Sequence, residues 1–169
     1  MNVGYTTVEL PRDEAALVEF LCNDSWPFHR VDRLADDDVR ALDFVGDDVA
    51  SFWICDGGRA VGLVRIFDLG DIGDGAPLFD LRIATEHRGR GVGRHAVRWL
   101  THHLFTRYPA LRRVEANTRH DNVAMQRALV GSGYILEGTL REAWPSNTGV
   151  RFDTLVYGVL RSDWLTVRS

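Results

Sequence analysis

Apolar residues recur along this chain in two rhythms, and the rhythm predicts its elements. Tyr5–Leu10 reads as a strand, while Pro11–Asp24 opens on Pro and acids and then places Ala16, Leu17, Phe20 and Leu21 at helical spacing. Ala35–Val45 carries a weaker helical pattern. Val49–Leu69 predicts two strands folded back at Asp56-Gly57-Gly58, residues suited to a tight hairpin turn. In Ala76–Ala84 the alternation is clean: Phe79, Leu81 and Ile83 point one way, Asp80, Arg82 and Ala84 the other. A helix is predicted from Gly93 to Thr106, with Ala96, Val97, Leu100 and Leu104 on one face. Leu111–Thr118 predicts a strand. Asp121–Gly133 predicts a helix capped by Asp121 or Asn122 and ended at Gly131 or Gly133. Tyr134–Trp144 and Arg151–Leu160 predict two strands joined across Ser146–Gly149. The order β-α-α-β-β-β-α-β-α-β-β is that of an α/β or α+β sheet protein.

The 169 residues contain no repeat, linker or low-complexity tract, so a single domain over residues 1–169 is expected. No apolar run is long enough to span a membrane, and the first residues lack the basic and apolar blocks of a secretory signal. Cys22 and Cys55 are far apart in apolar surroundings and read as reduced core thiols, which points to the cytoplasm. The net charge of −4 conceals a division. All basic residues are Arg. Asp32–Asp80 is strongly acidic, and Arg82–Arg127 is strongly basic. One half should attract cations and the other anions.

The basic half begins with a loop of alternating Arg and Gly, Arg88–Arg94, set between a strand and an amphipathic helix. Glycines at 89, 91 and 93 allow close backbone approach. Free amides at the following helix N-terminus, with the helix dipole and the arginines, make phosphate binding the physical expectation. A P-loop needs a Lys that the chain lacks, and a dinucleotide fingerprint from Gly89 would need Gly where Arg94 stands. A nucleic-acid partner fits poorly with the negative net charge and with a single, unrepeated Arg–Gly segment.

Arg88, Gly91 and Gly93 fill the R/Q-x-x-G-x-G/A signature by which the segment resembles the acetyl-CoA site of the GNAT N-acetyltransferases. Asn122–Tyr134 is similar to the family's N-x-x-x…G-F/Y helix. Glu137-Gly138, Arg141, Gly149, Asp153, Tyr157, Leu160 and Trp164 resemble the C-terminal pattern of its ribosomal-protein N-terminal acetyltransferase branch. The resemblance runs from Leu10 to Trp164. It implies a GNAT-like single domain: a mixed, mostly antiparallel sheet of six to seven strands flanked by about four helices, with splayed central strands. It implies acetyl-CoA as cosubstrate and no metal. It carries the diphosphate grip to Arg88, Gly89, Arg90, Gly91, Val92, Gly93 and Arg94. The pantetheine arm falls to Ile83, Ala84 and Thr85, with Asn122 and Asn117 alongside. A backbone N–H near Ile83 would meet the developing oxyanion.

The implied chemistry is direct attack of a neutral amine on the thioester, which needs a base. Asp80 is the candidate, at a position where some aminoglycoside-acetylating relatives carry a working Asp. It could instead hold a cationic acceptor, or simply pair with Arg82 or Arg65. The family's Tyr acid is replaced by Leu129, and the Ser of the ribosomal branch by Met125. A non-catalytic CoA-binding module is the rival class that these replacements motivate. For the acceptor, Trp26, Phe28 and His29 flank Pro27 in a loop that either walls a pocket or caps the core, and Glu142 and Trp144 lie on the C-terminal hairpin. Asp71, Asp74, Asp80 and Glu142 could draw in a cationic amine. The chain also resembles kasugamycin-type aminoglycoside acetyltransferases, which favours a small aminosugar; a basic protein N-terminus is the alternative, and a homodimer is compatible with either. Asp68, Asp71 and Asp74 are spaced by three, unlike a calcium loop, and His95, His102 and His103 lack further metal ligands.

Overall fold

A computed structural model describes residues 2–73 and 75–166 of the chain. Every expected element is present. In order they are β1 (Val3–Thr7), α1 (Glu14–Cys22), α2 (Asp36–Arg40), β2 (Val49–Asp56), β3 (Arg59–Phe67), β4 (Leu78–Ile83), α3 (Val92–Arg107), β5 (Arg113–Arg119), α4 (Val123–Val130), β6 (Ile135–Pro145) and β7 (Arg151–Leu160). Three additions lacked a clear sequence signal: a terminal helix α5 (Arg161–Thr166) and single 3-10 turns at Leu69–Asp71 and Thr85–His87.

The seven strands keep the mostly antiparallel, centrally splayed arrangement expected, as two antiparallel sheets, one of four strands in the order β1-β2-β3-β4 and one of three in the order β5-β7-β6. β4 and β5 lie against each other without pairing. Both strands therefore carry backbone groups that no neighbouring strand satisfies, which is the splay that the resemblance implied.

Alternation along β2 and β3 sends side chains into two cores on opposite faces of the first sheet. Ile54, Val64 and Ile66 face α3 and α4 together with Ala96, Leu100, Leu104, Leu129 and Tyr157. Trp53 and Leu63 face α1 and α2 with Leu17, Leu21, Trp26, Val39 and Phe44. Each fully buried Leu here contributes roughly 1.5–3 kcal/mol relative to exposure. Cys22 and Cys55 are unpaired and half-buried at the margin of the second core. Arg161 ties α5 down by donating to the carbonyls of Leu111, Phe105 and Tyr108. Among the described residues no helix is long and apolar enough to cross a membrane.

Candidate active site

The splayed edge of β4 opens into a cleft of about 460 Å³. One wall is the end of β4 and the Arg–Gly loop, the other is α4, and the floor is the loop after α1. Trp26, Phe28, His29, Ile83, Arg88, Gly89, Gly91, Gly93, Arg94 and Asn122 all line it, so part of the expected donor and acceptor sets meets in one place.

The loop is built as an anion cradle. Gly89 and Gly91 adopt φ of 72° and 85°, a region that side chains disfavour, and Gly91 is the residue that turns the chain into α3. The first backbone bond on entry to α3 runs from His95 N–H to the Gly91 carbonyl. The amides of Gly89 to Arg94 make no backbone bond among the described residues, as expected for a helix start. A Cβ built on Gly89, Gly91 or Gly93 would meet open space, the room a phosphate needs. Arg90, Arg94 and Arg127 have no ion-pair partner among the described residues, and the last two line the cleft. The loop and α4 thus fit a diphosphate chemically. Val92 turns the other way, into the core.

Arg88 has a different employment from the rest of the loop. Its Nε donates to the Ile83 carbonyl at 2.8 Å and its Nη2 to the Ser25 carbonyl at 2.6 Å, with its guanidinium 5.4 Å from the Trp26 ring centre. It therefore staples the loop after α1 to β4. Asp24 reinforces this joint by accepting from both the amide and the hydroxyl of Thr85. Burial alone would raise the Asp24 carboxyl, but the Thr85 bonds and then the Ser25 amide outweigh it and hold it below the usual range.

Of the three residues expected along the pantetheine arm, two have occupied amides: Ala84 donates to the Val61 carbonyl and Thr85 to Asp24. Peptide groups alternate along a strand, so the Ile83 N–H points to the opposite, unpaired edge of β4. Ala84 and Thr85 border a second groove behind the turn. Asn117 is exposed on β5 and does not line the cleft, whereas Asn122 lines it and also caps α4 by accepting from Met125 N–H.

At the acceptor end, Trp26 serves both readings. It is 1% exposed in the second core, donates through Nε1 to the Leu21 carbonyl, and still walls the cleft. Asp80 holds two neighbours at once. His29 Nε2 lies 2.6 Å from Oδ1, and Arg82 Nε lies 2.9 Å from Oδ2. Arg65 sits opposite Asp80 in the sheet register but donates elsewhere, to the Asp43 carbonyl. Burial opposes the charge on Asp80, yet His29 and then Arg82 overcome it and hold its carboxyl well below the ordinary carboxylate range. A carboxylate so held is a weak base. His29 Nδ1 and Arg82 Nη1 are buried without hydrogen-bond partners. Each such orphan costs about 1–3 kcal/mol.

Several expected participants stand apart. Glu142 and Trp144 lie beyond the cleft wall, at a bulge in β6 where Glu142 has a φ of 52° and its amide donates to Asp153. Leu129 is fully buried in the core; Met125 lines the cleft. Asp74 and the Asp71 side chain lie outside the described residues. No Asp or Glu lines the cleft among the described residues. No local pattern singled out Arg119, which donates to the Pro27 carbonyl at 3.0 Å, grips Asp121 with two nitrogens, and lies 5.0 Å from the Phe28 ring centre and 4.0 Å from that of Phe152. It ties the loop after α1 to the start of α4.

The family model described as Acetyltransferase (GNAT) family matches residues 17–134, well over half of the chain. No curated protein matches. Among solved structures, the spermidine N-acetyltransferase of Vibrio cholerae in complex with CoA and spermine superposes with a TM-score of 0.77 at 20% identity, covering 96% of this chain and 98% of that one. A chimera of that enzyme, SpeG, with hSSAT gives 0.79 at 19% identity over 98% and 99%. The aminoglycoside acetyltransferase AAC(6')-Ib in complex with coenzyme A gives 0.75 at 18% identity over 99% and 100%. At such identities the superpositions establish the fold, and the family model establishes the family. The chain belongs to the GNAT acetyltransferase family and is an N-acetyltransferase whose acyl donor is acetyl-CoA.

Proposed function

We propose that this GNAT acetyltransferase acetylates a small amine held between Trp26, Phe28 and His29, with an aminosugar of the kasugamycin or wider aminoglycoside type as the preferred acceptor. The observation that carries this reading is the cleft that joins a cradle of free amides to His29, which is bound behind the lining to Asp80. The solved structures of this fold include enzymes named for spermidine and for aminoglycosides, which supports a small amine over a protein N-terminus. With an aminoglycoside acceptor the reaction would be one of antibiotic resistance. The free thiols fit a cytoplasmic setting.

Acetyl-CoA, when bound, supplies a thioester carbonyl carbon as electrophile. The amides of Gly89 to Arg94, with Arg94 and Arg127, would hold its diphosphate, and the Ile83 N–H would be the donor available to the reacting carbonyl. His29 donates its Nε2 proton to Asp80, which leaves Nδ1 as the basic nitrogen. Nδ1 takes one proton from the acceptor amine as the C–N bond forms and the C–S bond breaks. That proton then passes to the departing sulfur, leaving an N-acetyl amine and the free thiol. Asp80, expected from sequence to be the base itself, is here the residue that orients the base. A second reading, a CoA-binding module without turnover, draws on Leu129 and Met125, which leave the cleft without the family's hydroxyl acid.

The test is thiol release from acetyl-CoA with kasugamycin, other aminoglycosides, spermidine and ribosomal N-terminal peptides side by side. Turnover with an aminosugar is expected. Turnover confined to peptides favours the protein N-terminus, and CoA binding without turnover favours the non-catalytic module.

A further inference from the structure

We propose that β6 is a self-pairing edge, through which two copies of this chain join antiparallel as a two-fold dimer. The pairing is independent of the chemistry proposed for the cleft.

The two sheets have four edges, and β4 and β5 turn theirs toward each other, so β1 and β6 are the outer ones. An outer edge carries backbone donors and acceptors that only water or another strand can satisfy. β1 spans five residues, and those exposed are Gly4, Thr6 and Thr7. β6 is the longest strand, with eleven residues, and none of them is buried. Ile135, Leu136 and Leu140 are 61%, 49% and 53% exposed. Leu136 lies opposite Tyr157 and Ile135 opposite Gly158, so the two project from opposite faces of the sheet. Apolar surface is thus bare on both faces of one strand. A helix packed on the sheet would cover one face; a strand laid alongside β6 brings side chains to both. The surroundings match. Of the ten exposed large apolar residues among those described, only Leu10 and Val45 fall outside residues 123–165. Val123 and Val130, seven residues apart, add theirs on one side of α4, the helix that packs against β6.

Charge selects the occupant and its direction. Glu137 and Arg141 each stand two residues from Thr139. A second copy running antiparallel about Thr139 sets Glu137 of each chain against Arg141 of the other, whereas a parallel copy sets like charge on like. Arg141 has no ion-pair partner of its own among the described residues, and Glu137 is already held in place by Arg113 at 2.7 Å. Across the same centre Gly138 meets Leu140, which gives the larger side chain room. The strand is not a flat edge open to any register. Its ladder to β7 slips between Leu136 and Gly138 and again between Leu140 and Trp144, leaving Gly138–Leu140 as the regular stretch between two bulges. Pairing is confined to that stretch, and a two-fold contact uses the same edge of both copies, so the assembly closes at two.

Sedimentation velocity of wild type over about 1–100 µM is expected to show a monomer–dimer equilibrium and no larger species. Arg141→Glu, at an exposed position, sets like charges against each other and should raise the dimer dissociation constant roughly tenfold or more. Thr139→Cys brings two thiols together at the two-fold, where opposed Cβ atoms lie about 4.5–5.5 Å apart, and should cross-link on oxidation into a dimer that reductant releases. Val150→Cys, also exposed but at the far end of the hairpin, should stay uncross-linked, as should wild type with its half-buried Cys22 and Cys55. Wild type that remains monomeric throughout overturns the proposal and leaves the edge to a strand of another protein. Growth beyond the dimer overturns the closed two-fold. A dimer that cross-links no better through Thr139→Cys than through Val150→Cys overturns it as well, since the contact then lies elsewhere. That cross-link decides the matter should Arg141→Glu fail to fold or leave the affinity unchanged.

Discussion

His29 Nε2 lies 2.6 Å from Asp80 Oδ1, joining the loop after α1 to the middle of β4 across 51 residues of sequence. This bond decides which group can act as base. Asp80 is engaged by both His29 and Arg82, so on the proposed reading the proton-accepting capacity passes to the other nitrogen of the imidazole. His29→Gln is expected to lower kcat by roughly 10²–10⁴-fold. Asp80→Asn should lower kcat about 10-fold or more, with acetyl-CoA affinity unchanged. A kcat within twofold of wild type for His29→Gln contradicts the assignment.

The ion-paired state of Asp80 also has a consequence for stability. A carboxyl whose pKa is depressed on folding contributes stability that is present above its unfolded value of about 3.9, and that is lost as pH falls through the lower folded value. Urea unfolding of wild type and Asp80→Asn should therefore show a gap at neutral pH that shrinks below about pH 4. A gap that holds constant into strong acid would count against the pairing.

Gly91 starts α3 with a φ of 85°. Gly91→Ala places a side chain in a left-handed conformation, at a cost of about 1–2 kcal/mol, and should relax the cradle. Calorimetric titration is expected to show acetyl-CoA affinity weakened roughly tenfold, while Gly73→Ala, in an exposed loop with open space around it, serves as the control.

Arg119 holds Phe28 and the Pro27 carbonyl from the far side of the cleft. Arg119→Ala should raise the KM of the acceptor several-fold and leave the affinity for acetyl-CoA near that of wild type. The opposite split, with acetyl-CoA weakened and acceptor KM unchanged, would place Arg119 in the donor site.

What could be read in the sequence was whatever local chemistry dictates. Alternation gave β4 its two faces, periodicity gave α3 its buried stripe, and glycines between arginines marked the loop whose amides are left without backbone partners. Pairings across long stretches of chain were out of reach. The Arg88–Ser25 and Asp24–Thr85 bonds join residues more than 60 positions apart, and no local pattern announces them. Asp80 had two plausible arginine partners by proximity; the structure takes Arg82, on the same face two residues away, because Arg65 is drawn off to Asp43 and stacks near Phe44 and Phe67. The division into two sheets was hidden for the same reason, since strand pairing is set by tertiary contacts. The terminal helix α5 is only Arg161–Thr166, too short for a periodic signal.

The most direct measurement is residue-resolved amide hydrogen exchange of the Gly89–Arg94 segment, with and without saturating coenzyme A. Those amides have no backbone acceptor in the free chain and should exchange rapidly; with the diphosphate in place they should slow by about tenfold or more. Coenzyme A that binds while these six amides continue to exchange at their free rates would show that the cofactor is held somewhere else.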